Sequence, residues 1–171
     1  MRVLVADDSV LLRAGLASLI DAQPDMHVVA EAQDGRQAVE TFRAHRPDVT
    51  LMDVSMPQLS GLEATAAICA LDPEARVIVM TSEDAVAMAD RALRAGARGY
   101  LVKGRGIGEI VGAIRSVHAG ERYVPEELGV QLDAFAARGD RRERGVAARF
   151  RRWLVGLFSA VTPGAVGPGP D

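Results

Sequence analysis

Short runs of β-branched and other apolar residues recur along the first 103 residues of the chain. Several of these runs are apolar at nearly every position, which is typical of parallel strands that are covered on both faces. The runs cover residues 3–6, 28–32, 49–54, 77–81 and 99–103. They predict five buried strands.

Between these runs, apolar residues recur at the three- and four-residue spacing of an amphipathic helix. The first stripe follows a Ser9 cap and holds Val10, Leu11, Leu12, Leu16, Leu19 and Ile20, and the last holds Ile107, Ile110, Val111, Ile114 and Val117. Each stripe predicts a helix face that packs on the sheet. Because strand and helix alternate within about 120 residues, the chain is predicted to form an α/β fold, a doubly wound parallel sheet with right-handed crossovers.

The pattern changes after Gly120, and this change divides the chain. Residues 1–120 are predicted to form one domain, and residues 121–137 a linker with a short helix. Residues 138–171 are predicted to form a tail, which holds seven Arg within 138–152, an apolar stretch at 153–161 and Gly/Pro-rich sequence at 162–171. Gly/Pro-rich composition predicts disorder at the end of this tail.

Two interpretations of the tail are open. From Val146 to Val161, apolar side chains recur at helical spacing beside several Arg, as in a basic amphipathic helix for a membrane surface or a partner groove. Gly156 interrupts that stripe, and isolated helices of this length are marginal in water. The favoured interpretation is therefore a disordered tail, or one translated from a shifted reading frame.

The composition excludes several classes of protein. Apolar residues make up 49% of the 171 residues and charged residues 25%, so the chain can form a packed core. A net charge of −3 argues against a surface that binds nucleic acid as a whole. The single cysteine excludes a disulfide scaffold, and the sequence holds neither a signal peptide nor a long apolar span. These features predict a soluble cytoplasmic protein with no membrane span.

Polar residues lie at the ends of four of the predicted strands. Asp7 and Asp8 follow the first run, and Asp53 ends the third. Thr81 ends the fourth, and Lys103, the only lysine among 20 basic residues, ends the fifth. Each residue alone fits a capping turn or a loop surface. Because the carboxyl ends of parallel strands meet at one edge, where such sheets bind ligands, the set together predicts a site.

The residue types at this edge predict phosphoryl-transfer chemistry. Converging carboxylates repel one another unless a cation lies between them, and oxygen ligands of this kind suit Mg²⁺. With the metal bound, Asp53 can stay ionised as a nucleophile toward phosphorus. The Lys103 ammonium and the Thr81 hydroxyl can then neutralise and bind the phosphoryl oxygens.

Four motifs resemble those of the receiver domain of two-component response regulators. They are VADDS at 5–9, LMDVSMP at 51–57, VIVMTS at 77–82 and GYLVKG at 99–104. Further stretches resemble the NarL/LuxR-type members, whose output domain is a helix-turn-helix: GLEAT at 61–65, GARGYLVK at 96–103 and AGERYVPEEL at 119–128. The chain is therefore identified, by resemblance, as a member of this family.

The resemblance implies a flavodoxin-like sheet with strand order 2-1-3-4-5 and a role for each acidic residue. Asp53 would accept a phosphoryl group from a sensor histidine kinase. Asp8, Asp53 and the Ser55 carbonyl would hold Mg²⁺, and Asp7 would act largely through water.

The resemblance also implies how the signal leaves the site. Thr81 and Tyr100 would form a switch pair that reports phosphorylation to the face of residues 84–119, and phosphorylation would promote a homodimer. Such a protein is not a metabolic enzyme and serves in transcription regulation.

Residues 121–171 lack the LTxRE- and SNKEIA-like stretches of the helix-turn-helix output domain. Sequence-specific DNA binding by this chain is therefore not expected.

Two other functions remain as alternatives. Haloacid-dehalogenase-like phosphatases also use an Asp nucleophile, a Thr and a Lys on a parallel sheet, but they place the nucleophile at the end of the first strand in a DxDxT pattern. In this chain the first strand ends in DDS. A receiver-like domain that binds partners without being phosphorylated is the second alternative.

Overall fold

The computed structural model describes residues 1–82, 85–129 and 131–132. Strands and helices alternate along these residues, as the apolar pattern predicts. The strands are β1 (Arg2–Ala6), β2 (His27–Ala32), β3 (Val49–Asp53), β4 (Val77–Thr81) and β5 (Gly99–Val102). The helices are α1 (Val10–Asp21), α2 (Gly35–His45), α3 (Gly61–Leu71), α4 (Val86–Arg94) and α5 (Ile107–His118).

The strands form one parallel sheet in the order β2-β1-β3-β4-β5. This is the predicted order, and the doubly wound α/β fold is confirmed. The order reverses between β1 and β3, so the carboxyl ends of these two strands flank the switch point where such folds bind ligands.

Apolar residues fill both faces of the sheet. Val3 and Val5 of β1 lie in one core cluster with residues of α1 and α5. Leu4 and Ala6 lie in a second cluster with residues of α2, α3 and α4. Every residue of β3 and β4 is buried, which explains why these strands lack the polar alternation of a half-exposed sheet.

The predicted apolar faces of the first and last helices are wrong at their first turns. Val10 and Leu11 of α1 are 70% and 86% exposed, and Ile107 of α5 is 50% exposed. Farther along α1, Leu16 and Ile20 are buried as expected. At 3.6 residues per turn, Val10 and Leu11 lie about 120° and 140° around α1 from Leu16, so they are not on its buried face. Ile107 shares the buried face of α5 with Ile114, but it lies in the first turn, just after the chain leaves the carboxyl edge of the sheet.

Side-chain caps set where three of the helices begin. Ser9 and Asp34 accept hydrogen bonds from backbone N–H groups in the first turns of α1 and α2. Ser60 and Glu63 form a capping box at the start of α3. Each cap satisfies donors that a helix leaves unpaired at its first turn. The polar sequence between strand and helix therefore decides the helix start.

The segment predicted as a linker packs against the sheet over its described part. Tyr123 forms a parallel bridge with Gly99 of β5. Residues 126–129 are helical, and Leu128 and Leu132 are buried in the same cluster as Tyr100. These residues therefore add to the core.

The predicted tail at 138–171 lies outside the described residues, and so does its possible amphipathic helix. Among the residues that the structure describes, no helix is both long and apolar enough to cross a membrane.

One buried hydroxyl offers a stability test. Thr50 of β3 is fully buried, and its Oγ1 has no hydrogen-bond partner among the residues that the structure describes. A buried polar atom without a partner costs about 1–3 kcal/mol of desolvation. We therefore expect Thr50→Val, which has nearly the same shape, to leave the free energy of unfolding unchanged or to raise it. Urea unfolding followed by circular dichroism measures this, and a loss above about 1 kcal/mol would show that the hydroxyl is satisfied in solution.

Candidate functional site

The predicted acidic residues meet at the carboxyl edge of the sheet. Asp7 and Asp8 follow β1 directly, and Asp53 is the last residue of β3. One carboxylate oxygen from each of the three lies within 4.8 Å of the others. The parallel arrangement of β1 and β3 brings these side chains together although 46 positions separate Asp7 from Asp53 in the sequence.

Lys103 connects two of these carboxylates. Its Nζ lies 2.8 Å from Asp7 Oδ2 and 2.9 Å from Asp53 Oδ1. Burial lowers the pKa of Lys103, but hydrogen bonds to Asp7 and Asp53 outweigh that effect, so the pKa is raised and the ammonium stays charged. The lone lysine of the chain therefore acts as a fixed counter-charge inside the acidic cluster.

The three acidic residues differ in their surroundings. Asp7 is fully buried, and its Oδ1 accepts a hydrogen bond of 2.9 Å from the Ser9 N–H, while its Oδ2 bonds to Lys103. Asp53 is 2% exposed, whereas Asp8 is exposed to solvent. Asp8 is therefore the carboxylate that an incoming ion meets first.

This donor set fits a divalent cation. Within the cluster, three carboxylates face the one ammonium of Lys103, which leaves two uncompensated negative charges. All the side-chain donors are carboxylate oxygens, which Mg²⁺ prefers over nitrogen or sulfur ligands. The chemistry of the residues therefore supports a metal site of this class.

Thr81 lies on β4, the strand next to β3, and Tyr100 lies on β5, which is one strand farther from β3. Thr81 ends β4, is 2% exposed, and its carbonyl accepts a hydrogen bond of 2.7 Å from the Lys103 N–H. Tyr100 of β5 is fully buried in the core, away from the acidic cluster. The structure thus brings Thr81 and Lys103 to the acidic edge and places Tyr100 behind that edge.

The loop after β3 holds Asp53 in place. The Val54 N–H donates to the Met80 carbonyl of β4, and the Val54 carbonyl accepts from the Gly61 N–H at the start of α3. Ser55 follows in this loop and is exposed at the same edge. A Cβ on Gly61 would collide with the carbonyl oxygen of Asp53, so α3 can approach the strand this closely only because residue 61 is glycine.

Two contributors to the site were not predicted from the sequence. One is Gly61. The other is Arg13 of α1, whose Nη1 donates to the Asp7 carbonyl at 2.6 Å and whose Nε lies 3.0 Å from Glu31 Oε2 on β2. Through these two contacts, the guanidinium of Arg13 connects α1 to the end of β1 and to β2. A single charged residue inside the apolar stretch LLRAGL is the signal that points to Arg13.

Comparison with known proteins decides the family. Residues 3–115 match the family model of the response regulator receiver domain. The chain belongs to this family. The resemblance predicted from its four motifs is thereby confirmed.

Named relatives of this receiver are response regulators. It is 40% identical over 132 residues to response regulator GacA of Pseudomonas viridiflava, an alignment that covers 77% of this chain and 62% of GacA. It is 36% identical over 154 residues to UvrY of Escherichia coli O6:H1, covering 90% of this chain and 71% of UvrY. The matched part of this chain therefore spans about three fifths of the length of GacA.

A solved structure agrees with these relatives. The crystal structure of a LuxR-family two-component response regulator from Aurantimonas sp. SI85-9A1 is 34% identical, with a TM-score of 0.74. The match covers 80% of this chain and 97% of that one. This agrees with the predicted NarL/LuxR-type membership of the receiver.

Proposed function

We propose that this receiver is a phosphorylation-dependent switch that accepts a phosphoryl group on Asp53 from a sensor histidine kinase. The observation that carries the proposal is the placement of the Asp53 carboxylate. It lies at the switch point of the sheet, nearly buried, beside two other carboxylates and within 2.9 Å of the Lys103 ammonium. A nucleophile that must remain ionised needs such a counter-charge.

The transfer uses the residues of this chain in separate roles. A carboxylate oxygen of Asp53 attacks phosphorus, an O–P bond forms, and the N–P bond of the donor histidine breaks, so that its electron pair returns to the imidazole. The Lys103 ammonium neutralises charge on the phosphoryl oxygens, and the Thr81 hydroxyl donates to one of them. Asp7 holds Lys103 in position, since both of its oxygens already accept hydrogen bonds.

Asp8, Asp53 and the Ser55 carbonyl would hold Mg²⁺, and Asp7 would act largely through water. The ion would supply charge neutralisation at the phosphoryl group. The exposure of Asp8 and the two hydrogen bonds of Asp7 support this division of roles.

We expect Asp8→Asn to weaken Mg²⁺ binding more than Asp7→Asn does. Removal of a direct carboxylate ligand costs more than removal of a group that acts through water, and indirect partners are typically worth about 10- to 100-fold in metal affinity. Mg²⁺ titration of the three proteins by calorimetry measures the affinities, with Asp72→Asn as a control remote from the cluster. A smaller effect for Asp8→Asn than for Asp7→Asn would contradict the assignment.

The exposed first turns of α1 and α5 support a protein as the phosphoryl donor. Val10, Leu11 and Ile107 are at least half exposed, and they follow Asp8 and Lys103 by only a few residues. Apolar side chains beside a charged site suit a protein surface that must be bound and then released. A kinase that presents its phosphohistidine can bury these side chains as it docks.

The wider role is part of the same proposal. The protein catalyses only its own phosphorylation and dephosphorylation, acts in the cytoplasm in transcription regulation, and forms a homodimer on phosphorylation. Its division into a receiver at 1–120, a linker at 121–137 and a tail at 138–171 without an output domain remains a prediction.

Incubation of the full chain with acetyl phosphate and Mg²⁺, followed by intact mass measurement, tests the function. We expect the mass to rise by one phosphoryl group. Steady release of phosphate over many turnovers would favour the phosphatase alternative. No labelling under conditions that keep the protein folded would favour a receiver-like domain that acts without phosphorylation.

A further inference from the structure

The chain after α5 covers the exposed edge of the sheet. We call residues 121–129 and 131–132 the strap. Its Tyr123 N–H donates to the Arg98 carbonyl at 3.0 Å, and its Tyr123 carbonyl accepts from the Tyr100 N–H at 2.8 Å. Since β5 is the edge strand, these bonds satisfy backbone groups that would otherwise be open to solvent or to another chain. The strap therefore extends the sheet by a short parallel bridge.

Apolar side chains of the strap belong to the same core cluster as Tyr100, the predicted switch residue. Leu128 and Leu132 are 4% and 8% exposed. They belong to the core cluster that also holds Tyr100 of β5 and Ala89 and Ala92 of α4. Tyr100 is fully buried in this arrangement. Departure of the strap would remove Leu128 and Leu132 from this cluster and uncover apolar surface within it.

Polar contacts connect the strap to the loop that follows Lys103. Arg105 Nη1 lies 3.3 Å from Glu127 Oε2. The Tyr123 hydroxyl bonds to Glu109 of α5, and its pKa is raised by burial and by the charge of Glu109. The strap thus contacts β5, α5 and the loop that carries Lys103.

We propose that the strap is a latch over Tyr100 that couples the state of Asp53 to the chain beyond residue 132. This inference rests on the proposed function. The strap and the buried position of Tyr100 stabilise each other, because Leu128 and Tyr100 share one apolar cluster. A ligand shifts this equilibrium only if it favours the latched or the released arrangement.

The strand order determines which arrangement phosphorylation favours. Thr81 lies on β4, between Asp53 on β3 and Tyr100 on β5. A phosphoryl group on Asp53 attracts the Thr81 hydroxyl toward β3 and away from β5. That movement favours the buried position of the Tyr100 ring, which is the position it has when the strap is bound, so phosphorylation strengthens the latch. Coupling between two sites is reciprocal, so loss of the latch must weaken the binding of a phosphoryl mimic at Asp53 by the factor by which the mimic strengthens the latch.

Full-length Leu128→Asp tests the coupling, because a charged side chain cannot stay in the apolar cluster. Beryllofluoride with Mg²⁺ serves as the phosphoryl mimic, and its affinity is measured by calorimetry. Hydrogen exchange of the Tyr100 and Tyr123 amides reports whether the strap is bound. We expect Leu128→Asp to lose this protection and to bind beryllofluoride at least about fivefold more weakly, whereas Leu128→Met matches the unmodified protein.

Further variants and outcomes keep the test decisive. Leu128→Ala replaces Leu128→Asp if the latter fails to fold, and Glu127→Gln, which breaks only the exposed ion pair, is expected to have a small effect. If the strap is released and beryllofluoride binding is unchanged or tighter, the latch proposal is wrong, while the proposed function stands. Failure of the unmodified protein to bind beryllofluoride would overturn the proposed function as well.

Discussion

Asp53→Ala is expected to abolish labelling by acetyl phosphate. Both oxygens of Asp7 accept hydrogen bonds, from the Ser9 N–H and from Lys103, and Asp8 lies at the exposed rim of the cluster. We therefore expect Asp53 to be the carboxylate that accepts the phosphoryl group. The substitution keeps Asp7 as a partner for Lys103, so the fold is expected to persist.

Intact mass spectrometry after incubation with acetyl phosphate and Mg²⁺ measures this loss. Asp72→Asn is the matched control, since it also removes one carboxylate but lies at the end of α3, paired with Arg46. The control is expected to label like the unmodified protein. Undiminished labelling of Asp53→Ala would show that another residue is the acceptor.

Gly61→Ala is expected to damage stability and phosphorylation together. The added methyl group would meet the carbonyl oxygen of Asp53, a backbone atom that cannot rotate away, and the Met52 side chain at 3.1 Å. Either α3 or the end of β3 must then move, and both movements displace Asp53. Such overpacking typically costs about 1–3 kcal/mol. We expect a loss of at least that size in the free energy of unfolding and much slower labelling by acetyl phosphate.

Gly15→Ala provides the control for this substitution. Gly15 lies in the middle of α1, and an added Cβ has nothing within 4 Å. Alanine favours a helix over glycine by about 0.8–1 kcal/mol, so this variant is expected to be slightly more stable and to label normally. Urea unfolding of both variants makes the comparison. Equal stability of the two proteins would mean that α3 can shift without cost.

The local pattern of the sequence was sufficient for the strands and for most of the site. Each strand of the structure begins and ends within one residue of its apolar run, because a strand covered on both faces leaves few positions for polar side chains. The meeting of Asp7, Asp53 and Lys103 followed from one rule, that the carboxyl ends of parallel strands share an edge.

The first turns of α1 and α5 show where this reasoning fails. The predicted stripe includes Val10 and Leu11 together with Leu16, but their spacing of six and five residues from Leu16 places them on another side of α1, where they are exposed. Ile107 has the spacing of the buried face of α5 and is still half exposed. Helical periodicity predicts which side chains share a face, but it contains no information on where the supporting sheet ends.

The sequence by itself determined the strand–helix alternation, the acidic edge with its lone lysine, and the family, because these depend on residue type and on order along the chain. Only the tertiary structure decided that Arg13 holds the Asp7 carbonyl, that Gly61 lets α3 approach Asp53, and that Leu128 packs in the cluster around Tyr100. Each of these contacts joins segments from different parts of the fold. Their distances follow from how helices and sheet pack together, which no local pattern specifies.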